Sequence, residues 1–263
     1  MDRALAHFPT NPEYGLGIYR RRLNFVADAR SMTAQVDDTH HSYWLLLEHD
    51  AVRVTNVEAG FMRAPNTTCP GVTAGLAALI GLPVGTTASE ALDRLPRSAS
   101  CTHLSDLFCW TLAQIGQTAL WEISIPDQLS APVWFEVARN KVIGHRWQVA
   151  NRHIVAPVAL RGRPLMQGFM AWARSEFGGE DLIAATMLQR GLLVARGREH
   201  IVDQGDPTPL ARAEGMAGSC WSYSGDRLSH ATGTLNYVRD FTAGVTPEAP
   251  PPHIAARLQG AGS

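Results

Sequence analysis

The chain has 263 residues, 45% of them hydrophobic and 18% charged, with a formal net charge of -1. Such a composition supports a sizeable core, in one large domain or two small ones, and excludes global disorder. No basic stripe stands out, no apolar run reaches membrane-spanning length, and the first residues lack a secretory apolar region. Nucleic-acid and membrane partners are therefore not expected, a cytoplasmic location is, and the four cysteines are expected to be thiols or ligands rather than disulfides.

Residues 1–17 read as a loop, with Pro9, Pro12, Gly15 and Gly17. Ile18 to Ala27 reads as a strand, and the triplet Arg20-Arg21-Arg22 as its solvated face. Met32 to Val36 reads as a short second strand. Tyr43 to Glu48 and Val52 to Val57 form a predicted hairpin, turning near His49-Asp50, with apolar residues at roughly period two. A helix is predicted over Thr68 to Ile80, with Pro70 in its first turn, and Gly81 ends it. Thr87 and Glu90 have capping-box spacing for a short helix through Leu95. Leu104, Leu107, Phe108, Leu112 and Ile115 mark a longer helix reaching Leu120.

Residues 121–135 read as a connector, because of Pro126 and Pro132. Val137 to Leu160 is rich in Val, Ile and Arg and reads as two strands. Leu165 to Phe177 and Glu180 to Ala195 read as helices split by Gly178-Gly179. Cys220-Trp221-Ser222-Tyr223 reads as a short strand or turn, and the proline-rich end as a flexible tail.

The candidate chemistry gathers at cysteines. Cys69 and Cys101 each sit just ahead of a predicted helix, where unpaired N–H groups favour a thiolate. His103 follows Cys101 by two residues, and His40-His41 lies upstream. Thiolate and imidazole suit zinc. The expected metal ligands are His41, Cys69 and Cys101, with Cys220 or His103 as the fourth. His103 and Asp106 are the expected catalytic groups. Ordinary burial of the cysteines is the competing reading, and for Cys109, well inside a helix, the preferred one.

The stretch from Trp44 through Cys69 to Cys101 follows the order hairpin, cysteine, helix, short helix, cysteine, long helix. Across residues 40–120 this resembles the iron–sulfur scaffold fold. The scaffold's Cys-Gly-Asp ligand motif is absent, and His41 stands closest to its Asp. Cys101-Thr102-His103-Leu104, together with His41, Cys69 and Cys220-Trp221-Ser222-Tyr223, also resembles an uncharacterised bacterial family, domain-of-unknown-function family 2889. That likeness covers roughly residues 18–125 and 212–242. It implies site residues and no activity.

The resulting expectation is an α+β fold, an antiparallel sheet with helices on one face. Residues 1–125 form a scaffold-like core, 126–211 an inserted lid, 212–242 a returning segment and 243–263 a flexible tail. The expected function is a metal-dependent enzyme acting on a small aromatic or hydrophobic metabolite, a lyase by preference. Zinc is the preferred ion, with iron or no metal as alternatives. A hydrolase and a non-enzymatic metal or iron–sulfur carrier are the rival functions. Arg146 and Arg152 are expected to anchor a substrate oxygen, and Trp172 and Phe169 to wall the pocket. The oligomeric state stays open, a homodimer among the options.

Overall fold

A computed structural model describes residues 5–128, 130–213 and 215–259. Among the described residues, eight antiparallel strands form one sheet in the order β4-β3-β2-β1-β5-β6-β7-β8. They are β1 (Ile18–Asp28), β2 (Ser31–Asp38), β3 (Ser42–His49), β4 (Val54–Arg63), β5 (Ala119–Pro126), β6 (Val133–Arg139), β7 (Val142–Ala150) and β8 (His153–Ala156). The helices are α1 (Ala88–Asp93), α2 (Thr102–Ala113), α3 (Phe169–Glu176), α4 (Gly179–Ala195), α5 (Arg227–His230) and α6 (Pro252–Gln259). The α+β, antiparallel expectation is met. No helix among the described residues is long and apolar enough to cross a membrane.

Alternation places the core. Tyr19, Leu23 and Phe25 of β1, Tyr43, Leu45 and Leu47 of β3, and Trp121, Ile123 and Ile125 of β5 all enter one apolar cluster. Helix α4 packs on this face across β1, β5, β6 and β7, and α2 packs on β2 and β3. Gly191 lets α4 lie close. A Cβ there would stand 3.0 Å from Ile123 and 3.2 Å from Ile125.

Three expectations change here. Residues 121–135 are not a connector, since β5 and β6 occupy most of them. The sheet runs unbroken from β4 to β8, so the segment from 126 shares a sheet and a core with what precedes it. The segment from Cys69 to Leu79 winds as a 3-10 helix rather than an α-helix. The close packing of Gly75 requires glycine, because a Cβ would lie 2.7 Å from the Ala99 carbonyl oxygen.

The proline-rich end is docked. Ile254 of α6 is fully buried against Trp44 and Leu46, on the sheet face opposite α2 and α4. Glu248 pairs with Arg63, and its backbone N–H donates to Asp37 Oδ1 at 2.9 Å. Helices therefore cover both faces of the sheet near β3, not one. This explains why Ser42–His49 is buried almost without alternation. The capping box at Thr87 and Glu90 is present as expected.

Candidate functional site

The turn between β2 and β3 is built by Asp38. Its Oδ1 accepts the backbone N–H groups of His40 (2.7 Å) and His41 (2.8 Å), the side-chain turn that aspartate favours. Arg63 clamps the same turn from outside, donating to the carbonyls of Asp38, Thr39 and His41. Both histidines are thus held on a rigid, buried corner.

Asp38 faces Arg21 directly across the β1–β2 ladder. Arg21 Nε donates to Asp38 Oδ2 at 2.8 Å, with Nη2 2.6 Å away, and the Tyr19 hydroxyl donates to the same oxygen at 3.0 Å. Arg21 is only 1% exposed, which corrects its reading as part of a solvated face. Its phase with Tyr19 and Leu23 sends it inward. Burial alone would raise the Asp38 carboxyl; the Arg21 guanidinium and the His41 ring more than reverse this and hold it well below the carboxylate range. The carboxylate in turn fixes His41. His41 Nδ1 lies 3.1 Å from Asp38 Oδ1, which assigns the proton to Nδ1. His41 Nε2 is buried and has no hydrogen-bond partner.

The His103 ring sits 4.2 Å from that of His41. The Tyr43 hydroxyl donates to the His103 carbonyl at 3.3 Å, and Cys101 Sγ lies 3.9 Å from His103 Nδ1. Burial, followed by His41 and Arg21, holds His103 well below the ordinary imidazole value. Burial lowers His40 to about 3. Both rings are therefore neutral at pH 7.

Cys101 is the N-cap residue of α2, and Cys69 opens the 3-10 helix. Trp221 ties these two places together: its backbone N–H donates to Ser100 O at 2.8 Å and its indole N–H to Thr68 O at 2.9 Å. The thiolate expectation is corrected. Burial and then the neighbouring Cys69 push the Cys101 thiol up to about 12, and burial raises Cys69 as well. Desolvation outweighs the helix terminus here. Cys109 is buried, as read from the sequence.

These groups share one cavity of about 470 Å³. It lies between the His40-His41 turn, the start of α2, the end of α4 and the loops of residues 202–237. His41, Cys69, Cys101, His103, Asp106 and Cys220 all line it. Six candidate residues from four separate stretches of sequence thus converge. Much of the remaining wall is apolar, including Phe61, Val72, Leu193, Leu210 and Trp221.

Asp106 has a different role from the one expected, and four other candidates lie elsewhere. Asp106 does not orient a histidine; it pairs with Arg190 Nε at 2.8 Å. Arg146 pairs with Glu136 at 2.7 Å and stacks on Trp134. Arg152 lines a separate, polar pocket of about 230 Å³ beside Asp127 and Glu199. Phe169 and Trp172 pack with Trp147 and Phe177 in the core. None of these last four residues lines the cavity. The segment meant to cover the site does reach it, through Arg190–Gly197 at the end of α4 rather than through its aromatics. Asp38 and Arg21 are the residues that sequence reasoning missed; His40 was noted beside His41 without an assigned role. The signal for Arg21 and Asp38 was available: a charged residue at an inward-facing phase, opposite an acid at a turn.

For zinc, the donor chemistry is suitable, and a carboxylate on the far nitrogen of His41 is a common companion of a metal ligand. The spacing is not suitable. Among the described residues no three His, Cys, Asp or Glu side chains are arranged to hold an ion. Cys69 Sγ instead meets Ser222 Oγ at 3.4 Å. As arranged, the described residues do not fit a bound metal.

A family model described as a protein of unknown function (DUF2889) matches residues 23–117. The match runs from within β1 past the end of α2 and takes in Asp38, His41, Cys69, Cys101 and His103. No curated protein and no solved structure matches the chain, so the likeness to the iron–sulfur scaffold fold gains no support.

Proposed function

We propose that the cavity is the active site of an enzyme acting on a small, largely apolar or aromatic metabolite, with lyase chemistry preferred. The observation that carries this reading is His41: its Nδ1 is held by a buried carboxylate, and its partnerless Nε2 belongs to a cavity-lining ring. That is the arrangement of a general base. Nε2 takes a proton from the substrate, and the electron pair released breaks the bond one atom further on. The departing fragment then recovers the proton from Nε2. Asp38 stabilises the imidazolium in between, and neutral His103 offers a second polar contact to the reacting atoms. The apolar walls exclude water, which favours bond cleavage over hydrolysis.

A carrier needs its cargo groups at a docking surface. Here His41 is 4% exposed and Asp38 fully buried, which favours a pocket. The test is a panel of aryl β-hydroxy ketones beside aryl esters, followed by aldehyde trapping and acid release. Aldehyde release that disappears in His41→Gln supports the lyase; acid release alone moves the reading to a hydrolase. No turnover of either panel removes the enzymatic reading. Metal analysis accompanies it: stoichiometric zinc, required for turnover, would move the reaction to a metal-assisted route with His41, Cys69 and Cys101 rearranged around the ion.

A further inference from the structure

We infer that the cavity takes an uncharged aryl molecule bearing a hydroxyl, a phenol or aryl alcohol rather than a carboxylate or phosphate, and that this hydroxyl donates to Nε2 of His41. The inference rests on the reading of the cavity as a substrate site. Two features of the wall carry it.

The first is charge. Among the described residues, the charged side chains lining the cavity, besides histidines, are Asp106, Arg190 and Arg196. Asp106 and Arg190 neutralise each other at 2.8 Å. Arg196 has Glu199 at 3.8 Å. Behind His41, Arg21 and Asp38 form another closed pair. An anionic ligand at Arg190 would have to break its pair and leave the largely buried Asp106 carboxylate without its partner, a costly exchange inside an apolar site, and at Arg196 it would compete with Glu199. A neutral ligand disturbs none of them.

The second is unmet hydrogen bonding. His41 Nε2, His40 Nε2 and Ser219 Oγ all belong to lining residues, and all are buried without a partner. With its proton on Nδ1 toward Asp38, His41 offers a lone pair at Nε2, which asks for a donor. A hydroxyl supplies one without bringing charge. The rings of Phe61, Trp221 and Tyr237 stand in the same wall and suit an aromatic body.

Isothermal titration at pH 7 with 4-propylphenol, 4-propylanisole and 4-propylbenzoate tests this on the full chain. The three differ only in the polar end: a donor, a methylated oxygen and an anion. The phenol should bind tightest. The anisole should bind about three- to tenfold more weakly for the lost hydrogen bond, and the benzoate at least about tenfold more weakly. The wall-filling variant Leu193→Trp, its fold checked by circular dichroism, should bind none of them. Benzoate equal to or tighter than phenol overturns the charge argument while leaving the cavity a binding site. Anisole equal to phenol overturns the contact to His41. Phenol binding unchanged in a folded Leu193→Trp variant, or no binding of any probe to the native protein, removes the cavity itself as the site.

Discussion

Replacing Asp38 by asparagine should be among the most damaging single-atom changes possible in this chain. The carboxylate has no exposed surface and serves two sides at once. Oδ2 receives Arg21 and Tyr19, and Oδ1 receives the N–H groups of His40 and His41 and the His41 ring. An asparagine NH2 must therefore face donors whichever way it turns. Keeping the turn intact sets it against the Arg21 guanidinium, whose charge then has no counter-ion. Leaving one member of a buried ion pair behind costs about 3–5 kcal/mol. Domain stabilities are on the order of 5–15 kcal/mol, so the variant should still fold at 25 °C with a large loss of urea resistance. Urea unfolding should be followed by tryptophan fluorescence and circular dichroism, with Arg21→Met and the double variant measured alongside. The double variant should lose less than the sum of the single changes, by about 2 kcal/mol or more. A loss below about 1 kcal/mol in Asp38→Asn, or simple additivity, would refute the claim that this pair anchors the His41 corner.

The pH dependence of stability has a definite sign. His40 and His103 have folded values depressed below the ordinary one near 6.5, so unfolding takes up protons as pH falls through that value, and stability drops from about pH 6.5 down to the folded His40 value of about 3. Asp38, depressed from about 3.9, removes a further contribution as pH falls through its still lower folded value; stability that is flat from pH 7 to pH 4 would contradict these assignments. Cys69, Cys101 and Cys109 should react with iodoacetamide at pH 7.5 more slowly than free cysteine, because burial raises each thiol; peptide mass mapping that finds Cys101 faster than free cysteine would restore the thiolate reading. Ile254→Ala should cost about 2–4 kcal/mol and loosen α6 from Trp44, visible as a shifted indole emission; unchanged urea resistance would mean that α6 does not hold the sheet. Gly197→Ala should push the His40 ring aside, since its Cβ would stand 2.6 Å from Nε2, at a cost of about 1–3 kcal/mol; a neutral result would show room that the packing denies.

Local patterns were the readable part of the chain. The β3–β4 hairpin, the capping box at Thr87 and the break at Gly178-Gly179 are fixed by near neighbours and stand where the sequence places them. β5 was hidden by Pro126, although Trp121, Ile123 and Ile125 alternate inward; proline ends that strand instead of cancelling it. The docked end was hidden because Ile254 and Leu258 are sparse apolar anchors after a proline-rich stretch, and only their packing on the outer face of β3, at Trp44 and Leu46, reveals their purpose. In the site, cysteines and histidines were visible by residue type. What arranges them was less visible: the inward phase of Arg21 opposite Asp38 could have been read, whereas Arg63 acts through pairing with Glu248, 185 residues away. Aromatic content pointed to Phe169 and Trp172 as a pocket wall, and core packing claimed them instead.

The latch between Glu248 and Arg63 has a consequence for synthesis. Arg63 grips the turn that carries His41, and its own carboxylate partner arrives 185 residues later. β1 likewise waits for β5, beyond residue 117, before its second edge is paired. Contacts of such sequence separation form late, since the intervening chain must first be closed into a loop. A nascent chain emerging from the ribosome as far as residue 117 holds the histidines and both helix-leading cysteines, yet it lacks the strand, the α4 wall and the terminal clasp that make them a site. Competence comes only once residues 248–259 have been made, and until then the outer face of β3 is an open hydrophobic surface for chaperones to shield.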